Sequence, residues 1–146
     1  MATAAIRAIG TTISMYDSGD ANPVVIVEVL SISGPDMENE SIDVTNQDTT
    51  GRVREFIGGL VNPGTLTFDI NLQPDIATHG NATNGLFKVF SDADTRQWDL
   101  TFSDSGTTIY RFKAFIQNFV PEASVEDQLK ASITLKLTSK PEFDPA

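Results

Sequence analysis

The sequence predicts a mainly β fold, an antiparallel β-sandwich or barrel with one short flanking α-helix and one long projecting hairpin loop. Three observations predict it. Apolar and polar residues alternate strictly in several separate runs, the period of a strand with one buried face. Clusters of Asp, Asn, Ser and Gly, which form turns, stand between those runs. Only one stretch has helical spacing.

The first strand is expected over Thr11 to Tyr16, followed by the turn DSGDANP. Val24 to Ile32 is apolar almost throughout except at Glu28, which predicts a central strand covered on both faces. Ser33 to Leu60 is polar and acidic and lies between core strands, and connections that long are usually functional or disordered. Alternation at Ile42 and Val44, then Val53, Phe56 and Ile57, predicts strand arms over Ser41 to Thr45 and Val53 to Ile57, joined by the tip NQDTTGR. Leu66, Phe68, Ile70 and Leu72 mark the next strand.

From Ala82 to Asp92, Leu86, Val89 and Phe90 fall at i, i+3 and i+4, so one amphipathic helix is expected, with Thr83 or Asn84 as its N-cap. Trp98, Leu100 and Phe102, then Tyr110, Phe112, Ala114 and Ile116, form a hairpin about the turn SDSG. The phase slips near Gln117, which predicts a bulge. Leu129 to Leu137 is the cleanest strand, and PEFDPA after it reads as a loose tail. The expected organisation is one domain over residues 1–140, with residues 33–60 projecting and a tail over 141–146.

Composition excludes several functions. With ten Lys and Arg against twenty Asp and Glu, net charge −10 and no Cys, the chain offers neither the basic surface that grips phosphates nor thiolate chemistry. His79 is the sole histidine and reads as a surface-loop residue with no second imidazole to build a zinc site. DSGDAN and DSG have turn composition rather than a calcium-loop pattern, and FIGGL lacks the GKS or GKT ending of a phosphate loop. No apolar run is long enough to span a bilayer and MATAAIR lacks a secretory pattern, so cytoplasmic synthesis and retention are expected. Catalysis has no visible carrier.

SGPDMENESIDVTNQDT, GRVREFIGGLVNPGTLTFDIN, GLFKVFSD, RQWDLTFSDSG and YRFKAFIQNFVPEA occur in order along nearly the whole chain. In that order and spacing they resemble the tail tube proteins, or major tail proteins, of long non-contractile-tailed bacteriophages. The resemblance implies a small β-sandwich with a flanking helix that assembles into six-membered rings, stacked into the tube through which the genome leaves the capsid. It implies a structural virion protein, not an enzyme, with no cofactor and no metal. The implied partners are further copies of itself and other tail proteins at the tube ends. DNA passes through the lumen without specific binding, nothing inserts in a membrane, and the particle is assembled in the host cytoplasm.

Under that resemblance the projecting segment becomes a loop bridging subunits and rings, mobile before assembly, with Asp36, Glu38, Glu40, Asp43, Asp48, Arg52 and Arg54 as its expected contact residues. Its acids are expected to meet Arg111, Lys113 or Lys130 of an adjacent copy. Either Thr67, Asp69 and Asn71 or Gln97, Asp99 and Thr101 would line the lumen, acidic walls letting DNA slide. A secretion-system tube protein shares this architecture without the tail-type loop. A ligand-binding sandwich would display aromatics, whereas Trp98 and most phenylalanines here are in phase with buried faces.

Overall fold

The computed structural model describes residues 9–47, 51, 53–80, 84–104, 106–123, 125 and 128–143. In chain order the elements are β1 (Thr12–Met15), β2 (Val24–Val25), β3 (Val29–Ser33), β4 (Glu38–Asp43), β5 (Phe56–Asn62), β6 (Thr65–Asn71), α1 (Leu86–Asp92), β7 (Thr95–Thr101), β8 (Ile109–Glu122), β9 (Lys130–Leu137) and β10 (Glu142–Phe143). The fold is mainly β and antiparallel throughout, as the alternation predicts.

The main sheet runs β2-β1-β7-β8-β9-β6-β3, with β10 added to β8, and β4 forms a separate two-stranded sheet with β5. The long β8 turns this ribbon into two layers. Its first half pairs β7 from Thr101↔Ile109 to Thr95↔Phe115. Its second half pairs β9, with a register shift between Ile116 and Asn118. That bulge stands where the sequence phase slips, and it lets one strand serve both layers.

The inner faces meet in a core of Ile13, Met15, Trp98, Leu100 and Phe112 from one layer and Leu66, Phe68, Ile70, Ile133 and Leu135 from the other. Phe68 and Trp98 touch across it with ring centroids 6.2 Å apart, and the Trp98 indole donates to the Ala114 carbonyl at 3.2 Å. Burying side chains of this size contributes about 1.5 to 3 kcal/mol each, which is why the strictly alternating strands were legible.

Val24 to Ile32 is not one covered central strand. It breaks into β2 and β3, which lie at opposite ends of the strand order. Glu28 has a left-handed φ of 61°, and Val25, Val27 and Leu30 are exposed. The break joins the two ends of the sheet: the Ile26 amide donates to the Ile13 carbonyl at 2.9 Å, and the Asn71 amide donates to the Glu28 carbonyl at 2.9 Å. A straight strand would leave that gap open.

His79 is buried, not a surface-loop residue. Its Nδ1 accepts from the Gln73 amide at 3.1 Å, so the other ring nitrogen must carry the proton that Nε2 donates to the Val27 carbonyl at 2.9 Å. One ring thereby ties the loop after β6 to the β2–β3 break.

The helix is shorter than the spacing predicts. It starts at Leu86, with Gly85 as N-cap and no side-chain cap bond. Asn84 instead accepts from the Arg96 guanidinium at 3.0 Å, and residues 82 and 83 lie outside the described residues. Leu86 and Val89 face the core, while Phe87 and Phe90 lie 5.8 and 6.2 Å from Phe119. The tail is not wholly loose, because Glu142 and Phe143 pair with Arg111 and Tyr110.

Candidate assembly surface

The two-stranded arm is the part of the fold least able to stand alone. β4 and β5 pair from Glu38↔Asn62 to Asp43↔Phe56, with an irregularity between Asn39 and Ser41. The strands therefore begin nearer the root than the sequence suggests, because the pairing extends down to Glu38 and Asn62. The Val44 amide still donates to the Glu55 carbonyl at 2.9 Å, so pairing continues toward the tip. Every residue of β4 is exposed, as are all but one of β5.

Exposed Ile42 and Ile57 face one another in register, Phe56 lies next along the strand, and Leu60 is 81% exposed. An isolated two-stranded ribbon is marginal in water, and contiguous exposed apolar surface marks an interaction site. Charge alone does not reveal this surface. Its apolar residues were visible in sequence only as the alternation of the arms, while Leu60 and Met37 carried no such signal.

Asp36 belongs to the root of the arm. Its carboxylate accepts from the Thr65 amide at 2.7 Å and lies 3.4 Å from the Thr65 hydroxyl. Hydrogen bonding from Thr65 holds its pKa below the usual Asp value. Gly64, with φ of 77°, lies against the Asp36 carbonyl and carboxylate, where any Cβ would collide. Across the same joint Gly34, with φ of 104°, would place a Cβ 2.7 Å from the Thr65 carbonyl. Two glycines thus let the strands leave the sandwich side by side.

Asp43 is likewise occupied within its own chain. It accepts from the Thr45 amide at 2.9 Å and pairs loosely with Arg54 at 3.4 Å, and the hydrogen bonds from Thr45 are the chief cause of its lowered pKa. Glu38 and Glu40 are exposed on β4. Asp48 and Arg52 lie outside the described residues. Two of the expected basic partners are already engaged: Arg111 binds Asp99 at 2.8 Å, and Lys113 pairs with Asp20 at 3.2 Å. Asp36, Asp43, Arg111 and Lys113 thus each have a partner within their own chain.

The two candidate polar faces lie on opposite sides of the sandwich. Thr67, Asp69 and Asn71 alternate with the core residues of β6. Across from them stand Thr134, Ser132 and Lys130 of β9. Asp69 accepts from the Ser31 hydroxyl at 3.3 Å, and Asn71 accepts from Gln128 at 2.9 Å. This face carries short hydroxyl and amide groups with charges of both signs.

Asp99 points outward from the other layer and is only 5% exposed. Arg111 and the Tyr16 hydroxyl, 2.6 Å away, enclose its carboxylate. The hydrogen bond that Arg111 donates to Asp99 raises the Arg111 pKa above its ordinary value, and burial, then Asp99, raises that of Tyr16. Asp99 therefore does not share a face with Asp69 and presents no open carboxylate. Its partners lie far away in sequence, so alternation alone showed only that it points away from the core.

Among the described residues, no group of three or more His, Asp or Glu is placed to hold a metal ion, and no helix is long and apolar enough to cross a membrane.

No curated protein sequence matches the chain. Among solved structures, a chain from the tail of an empty gene transfer agent particle, computed with C6 symmetry, is similar over 97% of this chain and 100% of its own, with 16% identity and a TM-score of 0.75. A chain of the native gene transfer agent virion has 17% identity and a TM-score of 0.73, over 97% of this chain and 100% of its own. A chain from the sheath/tube terminator of an extracellular contractile injection system has 12% identity and a TM-score of 0.73, over 99% and 100%. The profile described as phage tail tube, TTP, lambda-like matches residues 4–109. That match spans most of the chain and includes the arm, its glycine joint and the β6 and β7 strands, so the chain belongs to the lambda-like phage tail tube protein family.

Proposed function

We propose that copies of this structural protein close into six-membered rings that stack into the tail tube, the conduit for genome ejection into the host. The observation that carries this reading is the arm, a paired ribbon with exposed apolar residues and, among the described residues, no strand partner outside itself. The C6 symmetry of the similar gene transfer agent tail supports the ring number. A head-to-tail contact whose rotation closes gives such a ring. It also covers open strand edges that would otherwise invite aggregation.

In this reading the arm bridges neighbouring copies and rings, with Glu38, Glu40, Asp48, Arg52 and Arg54 supplying the polar rim around its apolar residues. Asp36 and Asp43 hold the arm's own shape. The β6–β9 face, with Thr67, Asp69 and Asn71, lines the lumen, where short polar groups let DNA pass without specific binding. Asp99 stays a structural residue on the opposite side. Other tail proteins close the tube ends, the site of action is the virion tail, and assembly takes place in the host bacterial cytoplasm without membrane insertion.

Light scattering of the purified protein at rising concentration tests the ring. Six-copy species and longer stacks are expected as concentration increases, and a monomer that persists at every concentration overturns the reading.

A further inference from the structure

A groove of about 800 Å³ opens between the edge strand β3 and the far end of the opposite layer. Among the described residues its walls are Val29, Leu30 and Ile32 on one side and Leu100, Phe102 and Phe143 on the other. Phe143 stacks on Tyr110 with centroids 4.5 Å apart and lies 6.4 Å from Phe102, forming an aromatic floor. Phe143 is nevertheless 64% exposed and Leu30 48% exposed. Contiguous apolar surface of this kind marks a place for another surface.

Three observations single out the occupant. The first is chemical: Phe56 at the tip-side end of β5 and Val53 just before it are 57% and 66% exposed, and among the described residues the arm has no strand partner outside itself. The second is charge. Asp104 is the one ionisable residue among the described residues lining the groove, and Arg54, next to Val53, has a side chain 78% exposed. The root end of the arm would instead bring Glu38 and Glu40 toward Asp104. Arg54 gives up little by turning away from Asp43, since exposed pairs of that kind contribute about 0 to 1 kcal/mol.

The third observation is reach. Gly34, at the root of the arm, is itself part of the groove wall. At roughly 3.3 Å per residue, the ribbon from Glu38 to Asp43 carries its far end about 17 Å from that root. Because the two strands stay paired over this span, with one irregularity between Asn39 and Ser41, a chain does not fold its own tip back into its own groove. The contact has to be made between copies.

We infer that the groove receives the arm tip of a neighbouring copy, Val53 and Phe56 packing on the aromatic floor with Arg54 facing Asp104. This rests on the tube reading above and adds the receptor surface for the arm. Each copy then gives an arm and accepts one, a head-to-tail relation that repeats from copy to copy.

The absence of cysteine from the sequence makes cross-linking a clean test. Phe56→Cys and Phe143→Cys proteins, made separately with distinguishable tags, are mixed, assembled and treated with a short bis-maleimide. The mixed cross-link is expected to dominate, with little of either homodimer. Val53→Cys with Leu30→Cys is the second pair should the first not assemble, and Asp92→Cys on α1 is the negative partner. Tubes that form without either mixed product, or that link Phe56→Cys to Asp92→Cys instead, overturn the groove while leaving the tube reading standing. Failure of the unmodified protein to form rings or tubes overturns both.

Discussion

Arg111 grips Asp99 at two points, Nε to Oδ1 at 2.8 Å and Nη2 to Oδ2 at 3.0 Å. The same guanidinium donates to the Tyr16 hydroxyl at 2.9 Å and lies 5.4 Å from the centre of the Tyr16 ring. The trio joins β1, β7 and β8 on the outer side of one layer. Ion pairs that bury one partner this deeply are costly to break, because the remaining charge keeps its desolvation penalty.

Asp99→Ala is therefore expected to lower folding stability by about 3 kcal/mol, measured by urea unfolding, and Arg111→Lys is expected to lose part of that through the missing two-point geometry. An unchanged midpoint for Asp99→Ala would return the residue to the role of an open surface acid.

His79→Ala removes both a buried ring and the link between Gln73 and Val27. Loss of about 2 to 4 kcal/mol is expected from the cavity and the orphaned backbone groups. Hydrogen exchange should show the β2–β3 break loosening before the core strands β6 and β9 do. Uniform loosening would show that the ring does not act through that joint.

The arm root is expected to be acid-sensitive. Asp36 has a lowered pKa, with the Thr65 amide bond its largest cause. Its contribution is present in full above the unfolded Asp value of about 3.9 and is lost as pH falls through the lower folded value. Asp17, Asp43 and Asp104 shift in the same direction, chiefly through Ala21, Thr45 and Thr108 respectively. Exchange of the Thr65 amide should accelerate as pH falls below the unfolded Asp value. Asp36→Ala should show fast exchange at every pH, and equal behaviour of the two proteins at neutral pH would exclude the clamp.

Asp69 separates the two polar faces experimentally. Asp69→Lys is expected to leave unfolding within about 0.5 kcal/mol, as for surface substitutions generally, while slowing genome ejection from particles that carry it. Ejection at the normal rate would move the β6–β9 face to the exterior of the tube.

Strands such as β6 and β9 were legible because each buries one face from end to end, so pairing partners need not be known. The bulge in β8 was legible as a slip of phase for the same reason. What stayed hidden depends on residues distant in sequence. Glu28 takes a left-handed φ because the chain must close the sheet between Ile13 and Asn71, and a local apolar run does not encode that. His79 looked like a loop residue because Val27, its partner, precedes it by 52 positions. Gly85 rather than Asn84 caps the helix, Asn84 being drawn to Arg96. For the assembly surface, the arm was readable as a projection. Which of its acids shape the arm, as Asp36 and Asp43 do, and which are left for partners was not.

In the proposed tube the arm joins one copy to the next. Electron microscopy of concentrated protein lacking residues 46–52, beside the unmodified chain, tests it most directly, provided both unfold at the same temperature. Long tubes are expected from the unmodified protein and none from the shortened one. Tubes of normal length from the shortened protein would contradict it.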